Sequence, residues 1–132
     1  MILLDTHVLL WQEQGDRRLG PNTRNAVAHA LAEGQAAVSA ISFWEVGMRI
    51  QKGQLALRFE LDAWRRDLLD QGLSEIPVNG RLAARAGLLP DLHGDPADRL
   101  IVATALEGHR LVTADERILA WPGNLDRLRA TE

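Results

Sequence analysis

Four carboxylates stand out because each lies at a junction between a predicted strand and a predicted helix. Asp5 ends the first strand, and Asp115 ends the fourth. Glu45 opens the helix after the second strand, and Asp98 lies in the first turn of a later helix. In open parallel sheets the functional crevice lies beyond the carboxyl ends of the strands. The spacing therefore predicts that all four acids face one crevice.

Carboxylates crowded in one crevice repel one another, and without a counter-ion at least one would be pushed toward protonation. A bound divalent cation removes that conflict. Mg²⁺ takes oxygen ligands, usually one or two carboxylates with waters and a substrate phosphate. The chain has no cysteine, and no pair of histidines accompanies the acids. The donor set therefore favours Mg²⁺ or Mn²⁺ over Zn²⁺.

Taken singly, each acid also has an ordinary structural explanation. Ser42 and Glu45 have the spacing of a capping box, and Asp95 and Asp98 suit a helix cap and an acid that complements the helix dipole. Asp5 and Asp115 could each cap the helix that follows. The recurrence of acids at four junctions on the same predicted edge makes a shared site the better interpretation.

The elements that must position these acids alternate along the chain. A strand before Asp5 is followed by the predicted strands Ala36–Ala40, Ser74–Val78 and Arg110–Thr113, with a doubtful fifth at Asn124–Arg129. Helices are predicted at Thr6–Glu13, Thr23–Glu33, Ser42–Lys52, Leu61–Gln71, Arg81–Leu89, Asp95–Glu107 and Asp115–Trp121. This alternation predicts an α/β fold, with a parallel sheet of four to five strands between helical layers.

Length and composition limit the remaining options. A chain of 132 residues suits one domain, spanning 1–132, and 46% hydrophobic with 25% charged residues is ordinary for a globular protein. The net charge of −3 excludes a basic surface that coats nucleic acid, so any such role must be local. No segment resembles a signal peptide or a membrane span. The absence of cysteine suits a reducing compartment, so we expect a cytosolic protein with no membrane partner.

Four motifs in order resemble those of the PIN-domain family, and within it the VapC-type toxins of bacterial toxin–antitoxin pairs. The motifs are Ile2-Leu-Leu-Asp5-Thr6, Ser42-x-x-Glu45, His93-x-Asp95-Pro96-x-Asp98-Arg99-Leu-Ile and Leu111-Val-Thr113-x-Asp115. Each motif is weak alone, but the ordered set is specific and covers essentially the whole chain. Ala97 stands where an aromatic residue is common in the family.

The resemblance implies a PIN-like α/β/α sandwich and an endoribonuclease that depends on Mg²⁺ or Mn²⁺. Asp5, Glu45, Asp98 and Asp115 match the family's acidic tetrad, and Thr6 and Thr113 match hydroxyl positions that orient the acids. We expect Asp5 and Asp98 to be the central metal ligands, with Asp95 as a helix cap or outer ligand. The bound metal would hold the scissile phosphate and activate a water for in-line attack.

The resemblance also implies partners: an RNA substrate, a small cognate antitoxin, and a second copy of the chain in a homodimer. It places an antitoxin groove near the helices that carry Trp11 and Trp44. Arg99 is expected either to contact RNA phosphate or to balance the neighbouring acids, and Arg49 to pair with Glu45 four residues earlier. The histidines His7, His29, His93 and His109 are interpreted as surface or packing residues.

Two alternatives stay open at this point. One is a catalytically inert PIN-like domain that only binds RNA or protein, although such a domain would be expected to lose acids from the tetrad. The other is a different Mg²⁺-dependent phosphoryl-transfer domain. Asp5-Thr6-His7 lacks the second acid of an Asp-x-Asp nucleophile motif, Lys52 is the only lysine, and no phosphate-binding Gly-Lys-Ser/Thr loop is present.

Overall fold

A five-stranded parallel sheet forms the centre of the computed structural model, which describes residues 1–132. Its strand order is β3-β2-β1-β4-β5, and every neighbouring pair is parallel. The strands are β1 (Ile2–Leu4), β2 (Ala36–Ser39), β3 (Ser74–Ile76), β4 (Arg110–Thr113) and β5 (Arg127–Arg129). The predicted α/β class is confirmed, and the doubtful fifth strand is present over a shorter range.

Seven helices connect and cover the strands. They are α1 (Thr6–Gln14), α2 (Pro21–Ala32), α3 (Ala40–Gln51), α4 (Leu61–Asp70), α5 (Gly80–Leu88), α6 (Pro96–Ala105) and α7 (Glu116–Leu119). Local signals explain several of their ends. Proline begins α2 and α6, where its missing N–H is no loss, and α1 ends at Gly15, whose φ of 64° suits glycine.

The strands alternate their side chains between two separate hydrophobic cores. Leu4 and Val112 face the core formed with α1, α2, α3 and α4, whereas Leu3 and Leu111 face the core formed with α6 and α7. All four leucine and valine side chains are fully buried. Strands buried on both faces are expected when helices cover a parallel sheet on both sides. The molecule is therefore the predicted α/β/α sandwich.

The strand order reverses direction beside β1. The chain passes from β1 to β2 and β3 on one side, and then returns to place β4 on the other side of β1. Ligands of open α/β sheets bind at such a switch point, beyond the carboxyl ends of the strands. Asp5 directly follows β1, and Asp115 lies two residues after the end of β4. The topology thus brings two of the four acids to the same point.

Two predicted helix starts are wrong. The second helix begins at Pro21 rather than Thr23, because proline suits the first helical position. The helix after β2 begins at Ala40 rather than Ser42, because the Ser39 side chain accepts a hydrogen bond from the Ile41 N–H and serves as the cap. Ser42 and Glu45 therefore do not form a capping box, and Glu45 lies in the second helical turn. None of the helices combines the length and the apolar composition that a membrane crossing requires.

Candidate active site

Asp5 is the most deeply buried acid at the switch point, with 2% of its surface exposed. Its Oδ1 accepts a hydrogen bond from the Thr6 N–H at 2.8 Å, which caps α1. Its Oδ2 accepts from the Thr113 hydroxyl at 2.6 Å, and the same hydroxyl oxygen accepts from the Asp115 N–H. Thr113 therefore links the acids that follow β1 and β4.

Glu45 is held beside Asp5 by two buried hydroxyls. The Thr6 hydroxyl lies 2.5 Å from Glu45 Oε1 and 2.8 Å from the Ser42 hydroxyl. Thr6 thus binds Asp5 through its backbone and Glu45 through its side chain. Ser42, fully buried, is a supporting residue that the sequence interpretation assigned to a helix cap.

Asp98 occupies the centre of the acid cluster. Its carboxylate lies within 4.8 Å of potential ligand atoms in two groups, one with His93 and Asp115 and the other with Glu45 and Asp95. Asp95 caps α6 by accepting from the Asp98 N–H, so it has both the structural role and the proximity that its position suggested. Asp5 belongs to neither of these groups.

His93 is the site residue that the sequence interpretation missed. Its Nε2 lies 2.7 Å from Asp98 Oδ2, and only 15% of its side chain is exposed. Because an ionised carboxylate only accepts hydrogen bonds, the Nε2–H donates and fixes the Asp98 orientation. The sequence signal that could have indicated this role is that His93 begins the motif that contains Asp95 and Asp98.

Asp115 faces a cation as well as the other acids. Its side chain caps α7 by accepting from the Arg117 N–H, and the Arg117 guanidinium lies 3.2 Å from Asp115 Oδ2. The same Arg117 nitrogen lies 3.6 Å from Asp98 Oδ2. Arg117 therefore bridges two of the acids, although 63% of its side chain is exposed.

The electrostatic surroundings differ among the acids. Burial, the larger effect, and the charges of Asp5, Asp98 and Asp95 raise the pKa of Glu45. Burial and the neighbouring acids also raise the pKa of Asp98, although the bond from His93 opposes the change. Burial would raise the pKa of Asp115 too, but the hydrogen bonds and charge of Arg117 lower it overall.

Two arginines depart from their expected roles. Arg99 was expected to contact RNA phosphate or balance the acids, but its guanidinium donates instead to backbone carbonyls that include those of Ala86, Leu89 and Leu92. These bonds hold the segment between α5 and α6, and the structure gives no support to an RNA contact. The expected ion pair between Arg49 and Glu45 is also wrong, because α3 contains no such contact.

Trp11 and Trp44 also differ in their surroundings. Trp11 is half-buried, with the Arg18 guanidinium 4.8 Å from its ring centroid and His7 at 5.1 Å. Trp44 is 56% exposed. His7 fits the packing role expected of it, and its Nε2 also accepts a hydrogen bond from the Ala114 N–H beside the acids.

A model of the PIN domain matches residues 2–123 of the chain. The chain belongs to the PIN-domain family. A relative from Mycobacterium tuberculosis named Ribonuclease VapC22 is 37% identical over 119 residues, which cover 89% of this chain and 88% of the relative. The predicted resemblance to PIN domains of the VapC type is thereby confirmed.

Solved structures share the fold of this PIN domain. A toxin–antitoxin complex from Klebsiella pneumoniae matches with a TM-score of 0.66 at 22% identity, covering 98% of each chain. VapBC2 from Rickettsia felis, bound to a DNA fragment from its promoter, matches with a TM-score of 0.68 at 20% identity. That match covers 97% of this chain and 98% of the other.

The donor atoms of this PIN domain suit a hard divalent cation. Carboxylate oxygens dominate both groups around Asp98, and oxygen donors are those that Mg²⁺ and Mn²⁺ prefer. His93 adds a nitrogen, but its Nε2 is engaged with Asp98. Like-charged carboxylates with raised pKa values are an arrangement that a cation stabilises. The residues present therefore fit a magnesium or manganese site.

Proposed function

We propose that the protein is a metal-dependent endoribonuclease and the toxin of a toxin–antitoxin pair. The main support for this proposal is that Asp98 belongs to both groups of potential metal ligands at the switch point of the sheet. The name of the 37% identical relative supports RNA as the substrate. All four acids of the tetrad are present, so nothing favours an inert PIN-like domain.

Each site residue then has a role that its contacts support. Asp5, Glu45, Asp98 and Asp115 would hold Mg²⁺ or Mn²⁺, with Asp95 as a cap near the cluster. The bound metal would supply Lewis-acid stabilisation of the phosphate and lower the pKa of a bound water. Thr6 and Thr113 orient Asp5, Thr6 also orients Glu45, and His93 orients Asp98.

Glu45 is the proposed proton acceptor. Burial and like charges raise the pKa of Glu45 in the metal-free protein, whereas the pKa of Asp115 is lowered, so Glu45 is the better proton acceptor of the two. Its Oε1 accepts from Thr6, and Oε2, which has no hydrogen-bond partner in the protein, is the oxygen that would face an attacking water. Glu45 would accept the proton that this water loses as it attacks phosphorus.

An antitoxin is the proposed protein partner. Two structural neighbours are a toxin–antitoxin complex and VapBC2. The acid cluster would attract a basic side chain from an antitoxin segment, which would occupy the position that a metal and phosphate need. A homodimeric state and a cytosolic location stay predictions.

A metal-dependence assay tests the proposed activity. Purified protein, freed of any partner, should cleave fluorogenic single-stranded RNA with Mg²⁺ or Mn²⁺, lose cleavage in excess EDTA, and regain it when metal is restored. Asp5→Asn should abolish cleavage while circular dichroism stays native. Asp70→Asn removes an exposed acid at the end of α4 and serves as the matched control. Cleavage that persists in EDTA, or in Asp5→Asn, would contradict the proposal.

A further inference from the structure

A surface cleft of about 220 Å³ lies on the outer side of α3, directly beside the acid cluster. Its lining residues are Trp44, Glu45, Met48, Arg49, Lys52, Gln54 and Asp95. We call it the Trp44 cleft. Glu45 and Asp95 also belong to one of the two groups of potential metal ligands, so the cleft and the acid cluster are continuous.

Trp44 presents more than half of its surface to solvent. It is 56% exposed, whereas Trp64 and Trp121 are buried in the two cores and Trp11 lies against Arg18 and His7. Met48, one turn later on α3, continues the same apolar stripe and is 36% exposed. A tryptophan ring beside basic side chains suits the stacking of a nucleic-acid base.

The cations of the Trp44 cleft are free of carboxylate partners. Most exposed arginines of the chain pair with an acid, as Arg81 does with Glu107 and Arg110 with Asp126. Arg49 and Lys52 take part in no ion pair and no side-chain hydrogen bond, although Glu45 lies one turn before Arg49. Arg49 lies on α3 about 6 Å along the helix axis from Glu45, and Lys52 directly follows the last residue of the helix.

We propose that the Trp44 cleft binds the nucleotide next to the scissile phosphate of a single-stranded RNA. Its base stacks on Trp44, and its phosphate lies between Arg49 and Lys52, while the scissile phosphate lies at the acid cluster. The combination of an aromatic platform with basic side chains along the strand is the usual design of single-strand recognition. This inference rests on the proposed ribonuclease function and adds the substrate's strandedness and its path.

The charges of the Trp44 cleft are divided along its length. Glu45 and Asp95 belong to the acid cluster, whereas Arg49 and Lys52 follow Glu45 in the sequence by four and seven residues. The two cations suit the phosphates of RNA and would repel further basic residues of an antitoxin segment whose one cation reached the acids. A polyanion with exposed bases satisfies both the aromatic ring and the cations.

Binding measurements in an Asp5→Asn background test the cleft, with intact RNA verified on a gel. Fluorescence anisotropy would report the Kd of a short fluorescein-labelled single-stranded RNA. Trp44→Ala should weaken its binding about tenfold, and Trp44→Phe should restore most of the affinity. Neither change should alter the binding of a blunt duplex RNA, whose bases are already stacked. A merely structural role for Trp44 would affect both RNAs.

The cations are tested by the dependence of Kd on salt. Arg49→Gln with Lys52→Gln should lower the slope of log Kd against log salt by roughly 0.7 for each cation removed. Arg17→Gln with Arg58→Gln changes the net charge equally, at cations that also lack ion pairs, and should leave the slope unchanged. Equal effects of both double variants would overturn the inference.

The remaining outcomes separate this inference from the proposed function. Unchanged single-stranded RNA affinity in Trp44→Ala, with a loss of dimer in sedimentation or of antitoxin binding, would assign the cleft to protein and overturn the inference alone. Failure of the wild-type protein to cleave RNA with either metal would instead contradict the proposed function. Cleavage by wild type, together with the expected losses in the cleft variants, would support both.

Discussion

The two sides of Asp98 contain the same kind of residue in opposite electrostatic conditions. On one side, Asp115 faces Arg117, and His93 donates to Asp98. On the other side, Glu45 and Asp95 approach Asp98 with no cation in contact. The pKa of Asp115 is accordingly lowered and that of Glu45 is raised.

This difference shows how a single cluster can be both ordered and receptive to a cation. The Asp115 side is ionised and fixed by local hydrogen bonds, so its ligands are ready before metal arrives. The Glu45 side retains repulsion among buried carboxylates, which a divalent cation would relieve. We infer that metal binding draws its free energy mainly from the Glu45 side, whereas the Asp115 side supplies geometry.

Among the residues of the two sides, the largest expected effect comes from removing the charge of Asp98, which both sides share. Asp98→Asn should reduce RNA cleavage at least about a hundredfold, since even groups that only orient metal ligands contribute 10- to 100-fold. Initial rates with saturating Mg²⁺ measure the effect, and circular dichroism controls for folding. Cleavage within a few-fold of wild type would break the assignment of Asp98 as the centre of the site.

Matched substitutions on the two sides should change the stability of the metal-free protein in opposite directions. Glu45→Gln removes a carboxylate whose ionisation burial opposes, so the free energy of unfolding in EDTA should rise. Asp115→Asn keeps the helix cap but loses the charge opposite Arg117. This substitution should lower the free energy of unfolding by less than about 1 kcal/mol. Urea denaturation measures both. Changes of the same sign would remove the distinction between the sides.

The raised pKa values also predict how stability depends on pH. Above the ordinary values of 3.8 for Asp98 and 4.5 for Glu45, the folded metal-free protein binds more protons than the unfolded chain. The contribution of these two acids to the free energy of unfolding should therefore fall as pH rises from these values through the raised ones. Glu45→Gln should flatten this fall. Saturating metal should reverse it, because ionised carboxylates bind the cation.

Urea titrations at a series of pH values, in EDTA and in Mn²⁺, measure this dependence. Asp115 contributes in the opposite sense, but only below its ordinary value of 3.8. His109, whose pKa burial lowers from 6.5, adds a rise of stability with pH that is equal in both proteins, so the diagnostic quantity is the difference between wild type and Glu45→Gln. A difference that does not change with pH above 4.5 would contradict the raised pKa of Glu45.

The smallest effect is expected at Asp95. Asparagine caps a helix about as well as aspartate, so Asp95→Asn should change the free energy of unfolding by less than about 0.5 kcal/mol. Its side chain is exposed and already accepts the Asp98 N–H, so cleavage should fall less than about tenfold. A loss as large as that of Asp98→Asn would make Asp95 a metal ligand and enlarge the Glu45 side.

Local sequence signals predicted the order of elements and the position of the acids. Asp5 and Asp115 were recognisable because an apolar run ends at each of them, and Asp95-Pro96 because aspartate and proline begin helices. The start of α3 was predicted two residues late, because Ser42 has the residue type of a cap and only the folded backbone shows that Ser39 has this role. The fifth strand was weak because Arg127–Arg129 is polar and half-buried at the sheet edge, where backbone pairing with β4 forms it.

The sequence by itself determined which carboxylates lie at the carboxyl edge of the sheet, because strand ends and helix starts are encoded by neighbouring residues. Only the tertiary structure decided how they are partnered. The Thr113 hydroxyl donates a hydrogen bond to Asp5, which is 108 positions away in the sequence. Arg99 donates to the backbone carbonyl of Ala86 on another helix instead of pairing with the adjacent Asp98. A long polar side chain can reach many hydrogen-bond partners. Which partner it binds depends on which polar groups the packing of the helices and strands buries nearby.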